Sequence, residues 1–277
     1  MSDDATAFVP GHVTGFFSAH PDDDPSIAGS RGAGMTLSQG VTVTVESASE
    51  TRVRLNDEDV SMPPVEDVLD ALGVAATVDA ETELPLGAGF GVSGAMALGT
   101  ALAANSVFET RRSENELITL AHEAEVRAGT GLGDVVAQAR GGIPIRVEPG
   151  APTHGTMDGI PARPRIEYVA FGGLSTEEVL SGDTTALTAA GEAALERIRE
   201  EPTLDRFMQE SRQFARDASL LTSRVEAAIN DVSDAGGSAA MAMLGETVFA
   251  IGTGLSDAGY DPVVCRVHPA GATLNHD

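Results

Sequence analysis

The chain has 277 residues, with 42 Asp and Glu against 17 Lys and Arg, a formal net charge of −25. Such a field repels nucleic acid and anionic membrane surfaces, so neither is expected as a partner. All 17 basic residues are arginine, and the absence of lysine excludes a Walker loop, a protein-kinase strand lysine and a Schiff-base amine.

The acidic residues are spread evenly and 42% of the chain is hydrophobic, which fits a folded protein rather than an acidic tail. The length suffices for a large core and suggests two domains. Spread acidity, no lysine, no tryptophan and much Ala, Gly and Thr suggest a salt-rich cytoplasm, where screening tolerates the charge. Met1-Ser2-Asp3-Asp4 is acidic and no apolar run approaches ~18 residues, so neither a leader nor a membrane span is expected, and the protein is expected to be cytoplasmic. Cys265, alone in Val263-Val264-Cys265-Arg266-Val267, reads as a small buried hydrophobe.

In chain order, Phe8 to Phe17 and Val41 to Val45 read as strands, separated by the glycine-rich Gly29-Ser30-Arg31-Gly32-Ala33-Gly34, suited to close backbone approach. Arg52 to Leu55 alternates. Pro63-Pro64 opens a helix with Val65, Val68, Leu69 and Leu72 on one face. A small-residue helix runs from Ser93 to Ala104. Ser113 caps another, Glu114 to about Arg127, which carries Leu117, Ile118, Leu120 and Ala121 inward. Asp134 opens a short helix to Arg140, and a strand follows Gly141-Gly142 from Ile143 to Val147. Gly150 to Pro164, rich in proline and glycine, reads as a linker that divides the chain into 1–150 and 151–277. Beyond it come a strand at Ile166 to Phe171, a capping box at Ser175-Thr176-Glu177-Glu178 and helices near 185–199, 203–217 and 219–234. A Gly236-Gly237-Ser238 turn then leads to a short segment ending at Gly245, and strands follow at Thr247 to Ile251 and Pro262 to Val267. The pattern is α+β, without internal repeats.

The segment Pro85-Leu86-Gly87-Ala88-Gly89-Phe90-Gly91-Val92-Ser93-Gly94 carries the strongest chemical signal. Glycines let backbone N–H groups converge on an anion, and a following helix N-terminus adds partial positive charge. Ser93 stands where a Mg²⁺ bound to phosphate would take a hydroxyl ligand. Gly89 to Gly94 formally fits the dinucleotide fingerprint, but the preceding Asp79 to Leu84 is too acidic for a central parallel strand. Gly91 to Ala95 approaches a serine-hydrolase elbow but lacks its last glycine and its strand. Downstream lie a helix with Glu123 and Glu125, then Asp134 in Gly131-Leu132-Gly133-Asp134. Loop N–H groups for phosphate, oxygen ligands for Mg²⁺ and a carboxylate against an attacking hydroxyl are the parts that phosphoryl transfer needs.

This order resembles the GHMP kinase superfamily. Its motif P-x-x-x-G-L-G-S-S-A-A is matched by Pro85 to Ala95, with Phe90 for Leu, Val92 for the first Ser and Gly94 for an Ala. The resemblance implies an ATP site formed by Pro85, Gly87, Ala88, Gly89, Gly91, Val92, Ser93 and Gly94. It also implies Mg²⁺ held by Ser93 and Glu125, and Asp134 as the catalytic carboxylate. The implied fold pairs a ribosomal-protein-S5-like N-terminal domain with a ferredoxin-like C-terminal one. The opening Phe8-Val9-Pro10-Gly11-His12-Val13-Thr14-Gly15-Phe16-Phe17 and the Gly29 to Gly34 segment look like the archaeal pantoate kinases, which make 4-phosphopantoate for coenzyme A. With the composition, this implies a halophilic archaeal source. The superfamily's Gly-rich third motif is represented only by Gly236-Gly237-Ser238 and Ala239 to Gly245.

An anionic substrate needs a cation, and the candidates are Arg146, after the Gly-Gly turn, Arg31 and His122, one helical turn before Glu125. A homodimer is left open. One competing reading belongs to another class. Ala19-His20-Pro21-Asp22-Asp23-Asp24 resembles the motif of zinc-dependent N-deacetylases, although no further histidine stands at ligand spacing.

The charge gives one expectation directly. The melting temperature should climb between dilute buffer and molar KCl, because screening removes self-repulsion. An unchanged melting temperature in dilute buffer would contradict it.

Overall fold

The computed structural model describes residues 4–173, 184–243 and 245–275. Two long strands, β1 (Asp4–His20) and β2 (Gly29–Ser47), pair antiparallel over most of their length. The alternation expected at Val41, Val43 and Val45 places all three in the core, opposite Ala7 and Val9. Register shifts between Pro10 and His12 and between Thr14 and Phe16 bend the pair. The glycine-rich segment lies inside β2 and does allow close approach. Gly32 has φ +140°, and a Cβ there would come 2.2 Å from the Phe16 carbonyl oxygen.

The sheet order is β12-β1-β2-β5-β3-β4, with β3 (Arg52–Leu55), β4 (Glu58–Asp59), β5 (Ala76–Thr82) and β12 (Thr273–Asn275). β6 (Ile143–Glu148) joins β2 at Gly32 and Ala33, and β7 (Thr156–Ile160) pairs with β6. Three of these strands correct the sequence reading. β5 is a strand despite its acidity, because Ala76, Val78 and Ala80 face inward while Asp79 and Glu81 alternate away from the core. It runs antiparallel to β2 and parallel to β3. β7 falls within the expected linker, so a boundary at 150 would cut it from its sheet. β12 brings the end of the chain back to β1.

Four helices accompany this sheet: α1 (Pro63–Leu72), α2 (Val92–Val107), α3 (Glu114–Ala128) and α4 (Asp134–Arg140). The small residues of α2 let it approach β2 closely; a Cβ at Gly99 would come 2.6 Å from Val43 Cγ2. The second half forms an antiparallel sheet, β11-β8-β10-β9, from β8 (Arg165–Gly173), β9 (Ser238–Ala242), β10 (Gly245–Ile251) and β11 (Val263–Arg266). Its helices are α5 (Thr185–Glu200), α6 (Leu204–Asp217), α7 (Ser223–Asp234) and α8 (Gly254–Asp257). The expected helix at 219–234 begins later, since Thr222 is its N-cap and accepts from the Val225 N–H. The capping box at Ser175 lies outside the described residues. Among those residues, no helix is long and apolar enough to cross a membrane.

The α+β architecture is as expected, and the few aromatics join its halves. Phe16 of β1 meets Phe207 of α6 at 6.3 Å between ring centroids, and Phe207 meets Phe249 of β10 at 6.2 Å. Gly191 of α5 lies directly on β1, where a Cβ would come 2.0 Å from the Phe17 carbonyl oxygen. Alanine in mid-helix is intrinsically favoured over glycine by about 1 kcal/mol, but overpacking against backbone costs about 1–3 kcal/mol. Gly191→Ala should therefore lower stability in chemical denaturation. A more stable variant would show that α5 can move away without loss.

Candidate active site

The segment Pro85 to Gly91 makes three left-handed turns of backbone before α2, with Gly87, Gly89 and Gly91 at φ +73°, +85° and +63°. Side chains rarely adopt these angles, so the glycine spacing encodes the loop's path. Gly91 is the N-cap of α2 and no side chain caps that end, which leaves first-turn N–H groups to meet an anion. The loop is fixed from beneath by the second sheet. Phe90 meets Tyr168 at 4.7 Å between ring centroids with the planes tilted by 56°, and the Thr247 hydroxyl donates to the Ala88 carbonyl at 2.8 Å. Gln138 of α4 donates to the Gly91 carbonyl at 2.8 Å. The hollow above is bounded by Gly89, Gly91, Ser93, Thr130, Asp134 and Met243.

Ser93 sits in the first turn of α2, and its hydroxyl hydrogen-bonds Glu125. Glu125 comes from the last turn of α3, a helix opened by the predicted Ser113 cap, which is a full capping box with Glu116. It is 2% exposed and accepts from the Thr130 hydroxyl at 2.7 Å. Burial pushes its carboxyl up to about 7, against the Thr130 hydrogen bond; the negative charge of Asp134 adds to the rise and the Ser93 bond opposes it. Gly131 makes this seat possible, since a Cβ there would lie 2.3 Å from Glu125 Oε2.

Asp134, at the N-terminus of α4, retains a 20% exposed side chain. Its Oδ1 lies 2.6 Å from Nδ1 of the fully buried His12 of β1. Burial alone would raise the Asp134 carboxyl, but the hydrogen bond from His12 and the charge of Arg146 hold it below the usual range. Arg146 of β6 is 2% exposed, and among the described residues its Nε and Nη1 have no partner. Burial lowers its guanidinium to about 10, against the pull of Asp134. A recess shared by Thr14, Ser30, Gly133, Asp134 and Arg146 adjoins the loop hollow, and beyond Arg146 opens a cavity of about 290 Å³ walled by Ile118, Val136, Arg140 and Met157. Loop, Asp134, Arg146 and cavity thus form a continuous row.

The structure therefore brings together the glycine loop, Ser93, Glu125, Asp134 and Arg146. Pro85 is exposed at the loop's start, Ala88 is buried beneath it, and Val92 and Gly94 are buried in the packed face of α2. His122 and Arg31 are engaged elsewhere. His122 donates from Nε2 to the Ala28 carbonyl at 2.8 Å, and burial lowers its pKa, so it is a neutral internal tie. Arg31 alternates to the face of β2 opposite Ser30, donating to the Val147 carbonyl at 2.7 Å and to Glu192 at 2.8 Å. His20 likewise contacts Glu192, at 2.9 Å, and among the described residues no group of three or more His, Cys, Asp or Glu is placed to hold a metal ion. The zinc-hydrolase reading thus lacks a ligand set. His12, Thr14, Thr130, Gln138 and Met243 were not singled out by sequence. The weak third motif does reach the site: Met243 donates its N–H to the Thr14 carbonyl at 2.9 Å, and Gly245 abuts Ala88.

Residues 64–142 match the family described as GHMP kinases N terminal domain. The chain is similar to pantoate kinase from Methanospirillum hungatei, 34% identical over 256 residues that cover 89% of this chain and 87% of the relative. Pantoate kinase from Thermococcus kodakarensis is 36% identical over 262 residues, covering 88% and 86%. A solved structure described as a phosphotransferase related to the CoA biosynthesis pathway superposes with a TM-score of 0.88 at 30% identity, covering 98% of each chain. Homoserine kinase from Cytophaga hutchinsonii, at 17% identity and a TM-score of 0.68 over 99% of this chain and 98% of that one, shares the fold. With this identity over nearly the whole length, the chain belongs to the pantoate kinase family of the GHMP kinases.

Proposed function

We propose that this protein transfers the γ-phosphoryl group of ATP to the primary hydroxyl of pantoate, giving 4-phosphopantoate for coenzyme A synthesis. The observation that carries the site assignment is Asp134, held ionised between a glycine loop that offers N–H groups and a buried arginine with unpartnered donors. The loop from Gly87 to Ser93 cradles the phosphates. Arg146 takes the pantoate carboxylate, and Asp134 orients the attacking hydroxyl and receives its proton as the γ-phosphorus bond forms and ADP leaves. The apolar wall of Ile118, Val136 and Met157 suits the two methyl groups of pantoate.

Mg²⁺ fits beside Ser93 and Glu125, a hydroxyl and an under-compensated buried carboxylate, and when bound it would neutralise phosphate charge. Few protein ligands are needed there, because the phosphates and water complete the shell of such an ion. The salt-rich cytoplasm of a halophile is part of this reading, supported by composition.

The acceptor is tested by assaying pantoate, homoserine and mevalonate with ATP, Mg²⁺ and high KCl. Turnover of pantoate is expected; turnover of the others without it would leave the fold and reject the substrate. In the same assay, Asp134→Asn and Glu125→Gln should fold normally and lower kcat by about 10²-fold or more. Near-normal kcat in both would remove them from the mechanism.

Arg146→Ala should weaken pantoate binding by about 2–3 kcal/mol, read as a rise of roughly 30- to 150-fold in its KM. The KM for ATP should hold, because the nucleotide rests on the loop. Loss of ATP affinity with normal pantoate binding would move the carboxylate contact elsewhere.

A further inference from the structure

His12 has two connections that converge on the reaction. Its backbone N–H donates to the Phe90 carbonyl in the phosphate loop at 3.0 Å, and its ring contacts Asp134 at 2.6 Å. It follows the first register shift of β1, where the strand bends. The ring is fully buried, and its Nε2 has no partner among the described residues. Gly34 on β2 leaves the space for it, since a Cβ there would lie 2.2 Å from Nε2.

These contacts decide the tautomer. A carboxylate accepts, so the proton belongs on Nδ1. With the proton on Nε2, two lone pairs would face each other across 2.6 Å and a buried N–H would lack an acceptor. The groups facing the pair are Arg146 from β6, which acts on both, and Glu125 from α3, which faces Asp134.

We propose that His12 is a positioning residue for phosphoryl transfer: it engages Oδ1 of Asp134 through Nδ1–H, leaves Oδ2 for the acceptor hydroxyl, and sets the distance from that carboxylate to the phosphate loop through its own backbone. This role rests on Asp134 facing the acceptor alcohol. A neutral imidazole suits a buried seat in a chain without lysine, because it donates without placing a second unpaired cation beside Arg146. The bond is also made before substrate arrives, so the carboxylate need not reorganise during the reaction.

The test compares two amides. Asparagine at position 12 places its nitrogen near the position of Nδ1, whereas the longer glutamine places it near that of Nε2. His12→Gln should lower kcat by about 10- to 100-fold, the usual cost of losing a supporting hydrogen bond, with both KM values nearly unchanged. His12→Asn should recover most of that loss. On the unaltered protein, ¹⁵N NMR of labelled histidine should show Nδ1 protonated and Nε2 bare. Equal kcat in the two variants, or an Nε2–H tautomer, would overturn the proposal. If His12→Gln does not fold, the tautomer on the unaltered protein decides. Asp134→Asn, run alongside, separates the two readings: its inactivity upholds the role of Asp134 whatever His12 does, and its activity removes that role.

Discussion

A chain of net charge −25 that binds ATP and a carboxylate must concentrate anions where its own field opposes them. Without lysine, two sources of positive potential border Asp134 among the described residues. One is backbone: glycine turns and the uncapped end of α2 present N–H groups at no net charge. The other is Arg146, whose guanidinium is buried with two nitrogens unpartnered. Burying such a cation without full pairing is costly, and its chief compensation within the protein is the charge of Asp134. The site is thus assembled with an unmet demand for a negatively charged ligand.

The long pair β1 and β2 converts this demand into geometry. β1 contributes His12 and Thr14, β2 contributes Ser30 and the space at Gly34, and β6 joins β2 at Gly32 and Ala33, opposite Arg146 and Ile145. Loop and aspartate are then locked to this frame by His12 and to each other by Gln138. The second sheet closes the arrangement at Ala88, Phe90 and Thr14. A shift of any one element would change the spacing between phosphate, carboxylate and guanidinium, to which phosphoryl transfer is sensitive.

How much of this was legible follows from how locally each feature is encoded. The loop stands in a short motif whose glycines dictate backbone angles, so its path is legible from the residues, whereas Ser93, Glu125 and Asp134 were singled out together because their order resembles that of the GHMP kinases. Arg146 was legible through its neighbouring Gly-Gly turn. β5 was missed because Asp79 and Glu81 disguise a strand with one buried face, and β7 because glycine and proline surround it. His122 and Arg31 looked available in sequence, but a carbonyl at Ala28 and a carboxylate at Glu192 engage them. The contact of His12 with Asp134 spans 122 residues and has no periodic signature, so only the folded chain displays it.

The two carboxylates at the site show why position governs role. Asp134 borders the loop hollow, while Glu125 lies buried behind it against Gly131, where the negative charge of Asp134 makes its ionisation harder. Asp134 has an imidazole donor and a nearby guanidinium, and these outweigh its burial, so it stays ionised without a ligand. Glu125 has only hydroxyl donors, from Thr130 and Ser93, which do not offset burial, and its carboxyl rises to about 7. The carboxylate whose charge is already balanced can face a neutral alcohol and accept from it. The one whose charge is unbalanced gains most from a divalent cation, and it lies beside a serine hydroxyl at the end of a phosphate loop. The proposed division of labour, acceptor orientation at Asp134 and metal binding at Glu125, thus rests on the donors placed around two chemically similar side chains.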